Sequence, residues 1–182
     1  MQTIYDVILK IINKVNRLNL YKKRFKNSPK DWNMLCSAMD TIEDTCEAGL
    51  YFEKRGLGET VGGKYLKLYG LLQSIYVQQD SIKVLHKIFI NKKLIDNIYQ
   101  GWRIIRNLRN MTVGHPVCYD YGEKSVFLSR VTISNKGFQL LVNKNTSPIN
   151  STHFINVDLL KYYKNYIKET VNILNVVLDR IN

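Results

Sequence analysis

The sequence has few of the residues from which metal sites and disulfide bonds are built. It contains three cysteines and three histidines in 182 residues. Cys36, Cys46 and Cys118 form no C-x-x-C pair, and the histidines do not cluster with cysteines or acidic residues. An odd, scattered set of cysteines favours reduced thiols in a cytoplasmic protein, and we expect neither a bound metal ion nor a cofactor.

Long apolar runs are missing as well. The first 20 residues are apolar, but Asp6, Lys10 and Lys14 interrupt them and no small-residue cleavage site follows, which argues against a signal peptide. The sequence contains no run of about 18 apolar residues, so we expect no membrane-spanning segment. With 45% hydrophobic residues, the chain is expected to fold around a core as a single domain of residues 1–182.

Acidic residues are scarce and unevenly placed. There are 27 lysines and arginines against 15 aspartates and glutamates, which gives a net charge of +12. Residues 1–30 carry a net +7, residues 31–60 a net −5, residues 61–116 again +7, and residues 117–182 a net +3. A basic field of this size favours a polyanionic partner, either nucleic acid or an anionic membrane face.

Hydrophobic periodicity predicts a mainly α-helical fold. The expected helices are residues 4–18, 31–54, 64–90, 92–113 and 157–178, with N-caps at Asp31 and Asn156. After residue 115 the period changes: residues 126–134 and 137–143 are β-rich, and the turn Asn135-Lys136-Gly137 separates them. An Asn-rich loop, NKNTSPINST, follows. The expected architecture is a bundle of four to five helices with an inserted β-hairpin near 126–142.

The periodicity also predicts which side chains face the core. The predicted core positions of the second and fourth helices are Met34, Leu35, Met39, Ile42, Cys46, Ile95, Ile98, Trp102, Ile105 and Leu108. Three tyrosines of the last helix, Tyr162, Tyr163 and Tyr166, are interpreted as core residues, and stacking on nucleic-acid bases is the alternative.

The loop GETVGGK, residues 58–64, matches the start of the phosphate-binding pattern G-x-x-x-x-G-K. The pattern then requires Ser or Thr to hold Mg²⁺, but this chain has Tyr65. It should also follow a buried strand, whereas LYFEKRG is typical of a helix end. We therefore expect a connection between two helices and not a nucleoside triphosphate site.

The stretch RNMTVGHP, residues 109–116, ends the fourth expected helix and has two interpretations. The first is an ordinary helix cap. Arg109 favours the negative end of the helix dipole, Gly114 takes the C′ position, and Pro116 keeps His115 out of helical geometry.

The second interpretation is a catalytic pair of Arg109 and His115. In a continuous helix these residues would lie about 9 Å apart along the axis and about 120° around it, so a break at Gly114 is needed to bring them together. An imidazole can transfer protons near neutral pH, and a guanidinium can hold two phosphate oxygens. RNA supplies its own nucleophile, the 2′-hydroxyl, so cleavage of a phosphodiester here would need no metal.

The same residues resemble a known family. RNMTVGH matches the R-(N/D/H)-x-x-x-x-H form of the R-x₄₋₆-H signature of HEPN domains (higher eukaryotes and prokaryotes nucleotide-binding). LYGLLQSIYVQQDSIKVL on the third helix looks like a helix of certain bacterial members, so the resemblance covers two helices closely and the helical frame loosely. It implies a HEPN-like helical bundle that forms a homodimer and acts as a metal-independent endoribonuclease. Many members belong to toxin–antitoxin or phage-defence systems, and an antitoxin would here be a separate protein.

The resemblance also implies roles for individual residues. Arg109 would bind phosphate, His115 would act as acid, base or hydrogen-bonding group, and Asn110 would orient or contact the substrate. The Arg and His residues of both protomers would line one cleft. The products would be a 2′,3′-cyclic phosphate and a 5′-hydroxyl end.

Two polar residues of the third helix are candidates for supporting this pair. Asp80 can orient Arg106 or Arg109, or it can be a solvated acid beside two neighbouring lysines of its own helix. Gln79 is expected to be a buried hydrogen-bonding residue next to it.

Two other functions remain open on the sequence. One is a catalytically silent HEPN dimer that binds RNA, a nucleotide or a partner protein. The other is a helical dimerisation protein in which Gly-His-Pro is only a cap. The predicted hairpin is an addition to the minimal HEPN bundle, and it can extend the dimer, cover the cleft or bind a partner.

Overall fold

A computed structural model of the chain describes residues 2–95, 98–144 and 151–182. Within these ranges the helices are α1 Ile4–Arg17, α2 Pro29–Arg55, α3 Val61–Ile90, α4 Gln100–Arg109 and α5 Leu159–Arg180. The strands are β1 Lys124–Leu128, β2 Gly137–Lys144 and β3 Thr152–Asp158. The prediction of a mainly helical fold is confirmed. No helix in the described ranges is both long and apolar enough to cross a lipid bilayer.

The five helices pack in a closed ring. α1 lies against α2 and α5, α3 lies against α2 and α4, and α4 returns to α5. α3 also contacts α5 across the bundle. Each helix turns its apolar stripe inward, and burial of one such side chain contributes about 1.5–3 kcal/mol. Fully buried core residues include Val7, Ile8, Ile11, Val15, Leu68, Leu72, Ile82, Leu85, Tyr166, Leu174 and Val177.

The first residues of α2 and α4 differ from the predicted ones. Pro29 begins α2, because its fixed φ suits the first helical turn, where no backbone N–H is required. Asp31 therefore lies in the first turn, where its carboxylate accepts a hydrogen bond from the Ser28 hydroxyl at 2.6 Å. α4 begins at Gln100 and not near residue 92, because α3 ends at Asn91 in the left-handed conformation that asparagine tolerates.

Three predicted core positions are wrong. Ile95, Ile98 and Met34 are 65%, 70% and 38% exposed. The two isoleucines precede α4, so helical spacing does not apply to them. Met34 lies at a groove between α2 and α3. The remaining core predictions of these segments are confirmed by the buried residues Leu35, Met39, Ile42, Cys46, Trp102, Ile105 and Leu108.

The sheet is antiparallel with the strand order β1-β2-β3. β1 and β2 confirm the predicted hairpin, although β1 ends at Leu128 and a 3₁₀ turn precedes the tight turn. β3 is an addition to that prediction, and it forms because Ile155 and Val157 alternate towards the covered face. The carboxylate of Asp158, and not Asn156, caps α5 by accepting from the Lys161 amide at 3.0 Å. Residues 145–150 of the predicted Asn-rich loop lie outside the described residues.

A buried amide joins α2, α3 and α5. The Gln78 side chain accepts a hydrogen bond from the Tyr166 hydroxyl at 2.7 Å and donates to the Thr45 hydroxyl at 2.8 Å. Burial raises the pKa of the neighbouring Cys46 thiol to about 12, so this cysteine stays protonated at neutral pH. Tyr163 is buried like Tyr166 and Tyr162 packs against the core, so the prediction that these tyrosines are core residues is confirmed.

The first turn of α4 is fixed by a residue of α5. The Glu169 carboxylate accepts hydrogen bonds from the Gly101 and Trp102 amides, both at 3.1 Å. The first amides of a helix have no partner inside it and carry positive charge, so a carboxylate is a suitable acceptor. A Cβ atom at Gly101 would lie 2.9 Å from the Tyr166 backbone nitrogen, so glycine permits this close approach. Glu169 thereby sets where α4 begins and, through it, where Arg109 lies.

We expect Glu169→Ala to lower the free energy of unfolding by about 0.5–2 kcal/mol, because two helix-terminal amides are deprived of their acceptor. The measurement is urea denaturation followed by circular dichroism. Lys168→Ala, at the exposed neighbouring position, is the control and should change stability by no more than about 0.5 kcal/mol. Equal effects of the two variants would show that Glu169 does not anchor α4.

Candidate functional site

RNMTVGHP ends α4 with a widened turn. Asn110–Gly114 form a single π-helical turn, closed by a 2.8 Å hydrogen bond from the His115 amide to the Asn110 carbonyl. The Thr112 hydroxyl donates to the Leu108 carbonyl at 2.7 Å, a bond that competes with the regular helical ladder. Gly114 is not in the left-handed region, so the predicted C′ cap is wrong. Single π-helical turns within helices are frequent at functional sites.

Gly114 provides room for the Arg109 side chain. A Cβ atom at this position would lie 2.7 Å from Nη1 of Arg109, so the guanidinium lies directly against the Gly114 backbone. His115 follows with φ −140° and ψ 52°, outside helical geometry, as Pro116 requires. The predicted helix break is therefore confirmed. The guanidinium of Arg109 contacts Gly114, the residue that precedes the exposed His115 along the chain.

Arg109 is held by uncharged groups. Its Nε donates to Oε1 of Gln73 at 3.1 Å, and its Nη1 donates to Oδ1 of Asn110 at 3.2 Å. Its Cζ lies 4.2 Å from the ring centroid of Tyr76, a cation–π distance. Nη2 makes no hydrogen bond within the part of the chain that the structure describes. The guanidinium is thus oriented, and none of these partners is a carboxylate that would neutralise its positive charge.

Asn110 connects the two halves of the predicted pair. Its side-chain oxygen accepts from Arg109, and its backbone carbonyl accepts from the amide of His115. The imidazole of His115 makes no hydrogen bond to another described residue. The main chain at His115 is therefore fixed, whereas its ring is exposed to solvent.

Arg106 has a different environment from Arg109. Its Nη1 donates to Oδ1 of Asp80 at 2.9 Å and to Oε1 of Gln79 at 3.2 Å. Its Cζ lies 4.2 Å from the centroid of the same Tyr76 ring, so the two guanidinium carbons are separated by no more than twice that distance. Asp80 offsets the positive charge of Arg106, whereas no carboxylate bonds to Arg109 among the described residues.

The two predicted supporting residues both have partners in the structure. Asp80 pairs with Arg106 and lies 3.7 Å from Nζ of Lys83, so both interpretations of this acid hold in part. Gln79 is 1% exposed and donates to the Trp102 carbonyl at 3.1 Å, as expected of a buried hydrogen-bonding residue.

Gln73 and Tyr76 are site residues that the sequence analysis missed. Both contact Arg109, and both belong to the stretch of α3 that resembles the HEPN helix. A signal for them exists in the sequence. They lie seven and four residues before Asp80, so the three residues share one face of α3.

The other candidate sites are used structurally. GETVGGK joins α2 to α3 as predicted, although its last four residues, VGGK, are not loop but the first turn of α3. Nζ of Lys64, in that turn, donates to the Ile133 carbonyl at 3.1 Å. The three cysteines are free thiols. Within the described ranges, no three His, Cys, Asp or Glu side chains are close enough together to ligate a metal ion.

Comparison with known proteins gives no family for this chain. No protein-family model, no curated protein and no solved structure matches it. The HEPN resemblance therefore depends on the sequence alone, on RNMTVGH and on the similar stretch of α3.

We expect Gln79→Ala to lower the free energy of unfolding by about 1–3 kcal/mol, because it removes two hydrogen bonds that are buried or partly buried. Asp80→Asn should cost no more than about 1 kcal/mol, because the Asp80 side chain is 46% exposed and solvent screens its ion pair. Urea denaturation of both variants measures the difference. If Asp80→Asn costs as much as Gln79→Ala, the ion pair contributes as much as the buried amide to joining α3 and α4.

Proposed function

We propose that this protein is a HEPN-type endoribonuclease that acts as a homodimer. It cleaves RNA without a metal ion, by attack of the 2′-hydroxyl on the adjacent phosphorus atom. The context we propose is a cytoplasmic toxin or phage-defence effector, controlled by a separate antitoxin protein. The observation that carries the proposal is the Arg109 guanidinium, which is held by uncharged partners and lies against Gly114, the residue before the exposed His115.

Arg109 is suited to binding the phosphate that is cleaved. Gln73 and Asn110 fix the direction of its guanidinium, so little reorganisation is needed when negative charge develops on the phosphate oxygens. Because its partners are neutral, its charge is available to a ligand. A guanidinium also offers parallel N–H donors that match two phosphate oxygens.

His115 is suited to proton transfer. In the cleavage step the 2′-oxygen forms a bond to phosphorus and gives its proton to a base, while the 5′-oxygen leaves and receives a proton from an acid. One imidazole is either protonated or neutral at a given moment. A homodimer that brings two copies of His115 to one cleft supplies the base and the acid together, and the products are a 2′,3′-cyclic phosphate and a 5′-hydroxyl.

One observation favours a second candidate, a catalytically silent HEPN dimer that binds RNA, a nucleotide or a partner protein. A catalytic base is normally oriented by a third group, which sets its tautomer. No described residue makes such a hydrogen bond to the His115 ring. The silent dimer would keep the phosphate-binding role of Arg109 and lack the proton transfer.

We expect the purified protein to cleave single-stranded RNA in the presence of EDTA and to leave 2′,3′-cyclic phosphate ends. His115→Ala should reduce the cleavage rate by about 10²–10⁴-fold, the usual contribution of a general acid or base. His153→Ala is the control, because this histidine is also exposed but lies on β3, the strand farthest from β1 and from Pro116. The product ends are read by mass spectrometry.

The outcomes separate the two candidates. Cleavage that EDTA abolishes, or that both histidine variants retain equally, would contradict the Arg109–His115 mechanism. If the wild-type protein binds RNA as a folded dimer but does not cleave it, and Arg109→Ala abolishes binding, the silent dimer is the function.

We expect Gly114→Ala to reduce cleavage by up to about 100-fold, because the new Cβ displaces the Arg109 guanidinium and a shift near 1 Å can cost that much. The fold should be retained, since alanine is favoured in helices. Gly70→Ala on α3 is the matched control, because a Cβ there meets no atom within 4 Å. Unchanged cleavage by a folded Gly114→Ala variant would show that the position of Arg109 against Gly114 is not used.

A further inference from the structure

We propose that a basic ridge on α3 and α4 holds the strand of RNA that flanks the cleavage point. The ridge consists of Lys83 and Lys87 on α3 and of Arg103, Arg106 and Arg109 on α4. This inference rests on the proposed function, in which single-stranded RNA is the ligand. It adds the path that the strand follows away from His115.

The α3 side of the ridge is continuous with the candidate site. Gln73, Tyr76, Asp80, Lys83 and Lys87 follow one another in steps of three and four residues, so they form one stripe along the helix. Contacts confirm the start of this stripe, because Gln73 and Tyr76 contact Arg109 while Lys83 lies beside Asp80. From Tyr76 to Lys87 the stripe extends about 16 Å along the helix axis.

The α4 side runs antiparallel to it. Arg109 contacts Gln73. Arg106 lies three residues before Arg109 on α4, and it contacts Asp80, which lies seven residues after Gln73 on α3. Arg103 is exposed and lies one turn before Arg106 on α4, which places it towards the Lys83–Lys87 end of the ridge. The cations of both helices therefore lie along the same line, and among the described residues of α3 and α4 Asp80 is the acid on it.

A second cationic segment lies at the far end of the ridge. Arg24 belongs to a short π-helical segment, Tyr21–Phe25, and its Nη2 donates to the Ile88 carbonyl at 2.6 Å, next to Lys87. Two further lysines of this segment are exposed. Tyr21 is 43% exposed and its ring lies 5.2 Å from that of Trp32. An exposed aromatic ring beside a cationic track suits single-stranded nucleic acid, because bases stack on the ring while phosphates are neutralised.

The neighbouring helix sets the edge of the ridge. Residues 31–53 of α2 contain six acidic residues and neither lysine nor arginine, and α2 packs against α3 on the side away from α4. α4 contains three arginines and no acid. A polyanion is therefore attracted along α3 and α4 and repelled at α2, which confines it to one path.

The test measures binding of single-stranded 2′-O-methyl RNA, which lacks the nucleophile and cannot be cleaved. Fluorescence anisotropy at several salt concentrations compares the wild-type protein with the double variant Lys83→Ala and Lys87→Ala. The matched control is Lys164→Ala with Lys168→Ala, which removes the same charge at the same spacing from an exposed face of α5. We expect the slope of log K against log salt to fall by about 1.4 in the ridge variant, since each phosphate of a single strand that a lysine neutralises adds about 0.7. The control slope should not change.

Probe length provides a second readout. Probes of about 16 nucleotides should bind more tightly than probes of about 4, the range that basic single-strand grooves cover, and the ridge variant should not show this difference. Equal slopes for the ridge and control variants, or equal affinities for both lengths, would overturn the ridge. Binding of the ridge to phosphatidylserine vesicles without any effect on RNA would overturn it as well.

Failure of the ridge differs from failure of the proposed function. Cleavage that depends on His115 but has the same KM for long RNA in the ridge and control variants rejects the ridge alone. Salt-dependent binding that requires Lys83 and Lys87, in a protein that cleaves no RNA, supports the ridge and rejects the nuclease.

Discussion

The contact of the Glu169 carboxylate with the first amides of α4 is the constraint on which the rest of the site depends. α4 has only ten residues, so its own propensity does not fix where it begins. Glu169 fixes the start, and the absence of a Cβ at Gly101 lets α4 approach α5 closely. Every residue from Arg106 to His115 takes its position along α3 from that starting point.

The two arginines at the end of α4 show how the same side chain acquires different properties from its surroundings. Arg106 is neutralised by an aspartate and bound to a buried amide, so it joins α3 to α4. Arg109, one turn later, contacts amide oxygens and the shared Tyr76 ring, and no carboxylate bonds to it among the described residues. Neutral partners orient a guanidinium without using its charge, which is the condition for binding an anionic ligand. The guanidinium also lies against Gly114, the residue that precedes the exposed His115.

The acidic and basic blocks that follow one another along the sequence lie on different helices of the bundle. The acidic block is α2, and the basic block that follows contains α3 and α4. Because α2 and α4 lie on opposite sides of α3, the bundle separates the two charges across one helix. The basic residues of α3 and α4 are thus separated from the acidic residues of α2, and the same helix that carries Tyr76 carries the lysines of the proposed ridge.

Local patterns in the sequence determined the mainly helical fold, four of the five helices to within a few residues, the hairpin and the break before His115. These features follow from periodicity and from the geometry of proline, which act over a few residues. Only the tertiary structure decided the start of α4, the third strand, the exposure of Ile95 and Ile98, and the partners of Arg109. The start of α4 and the orientation of Arg109 depend on side chains of Glu169 and Gln73, which lie 68 and 36 residues from the groups they bind. Spacing along one helix does not reveal which residue of another helix lies opposite.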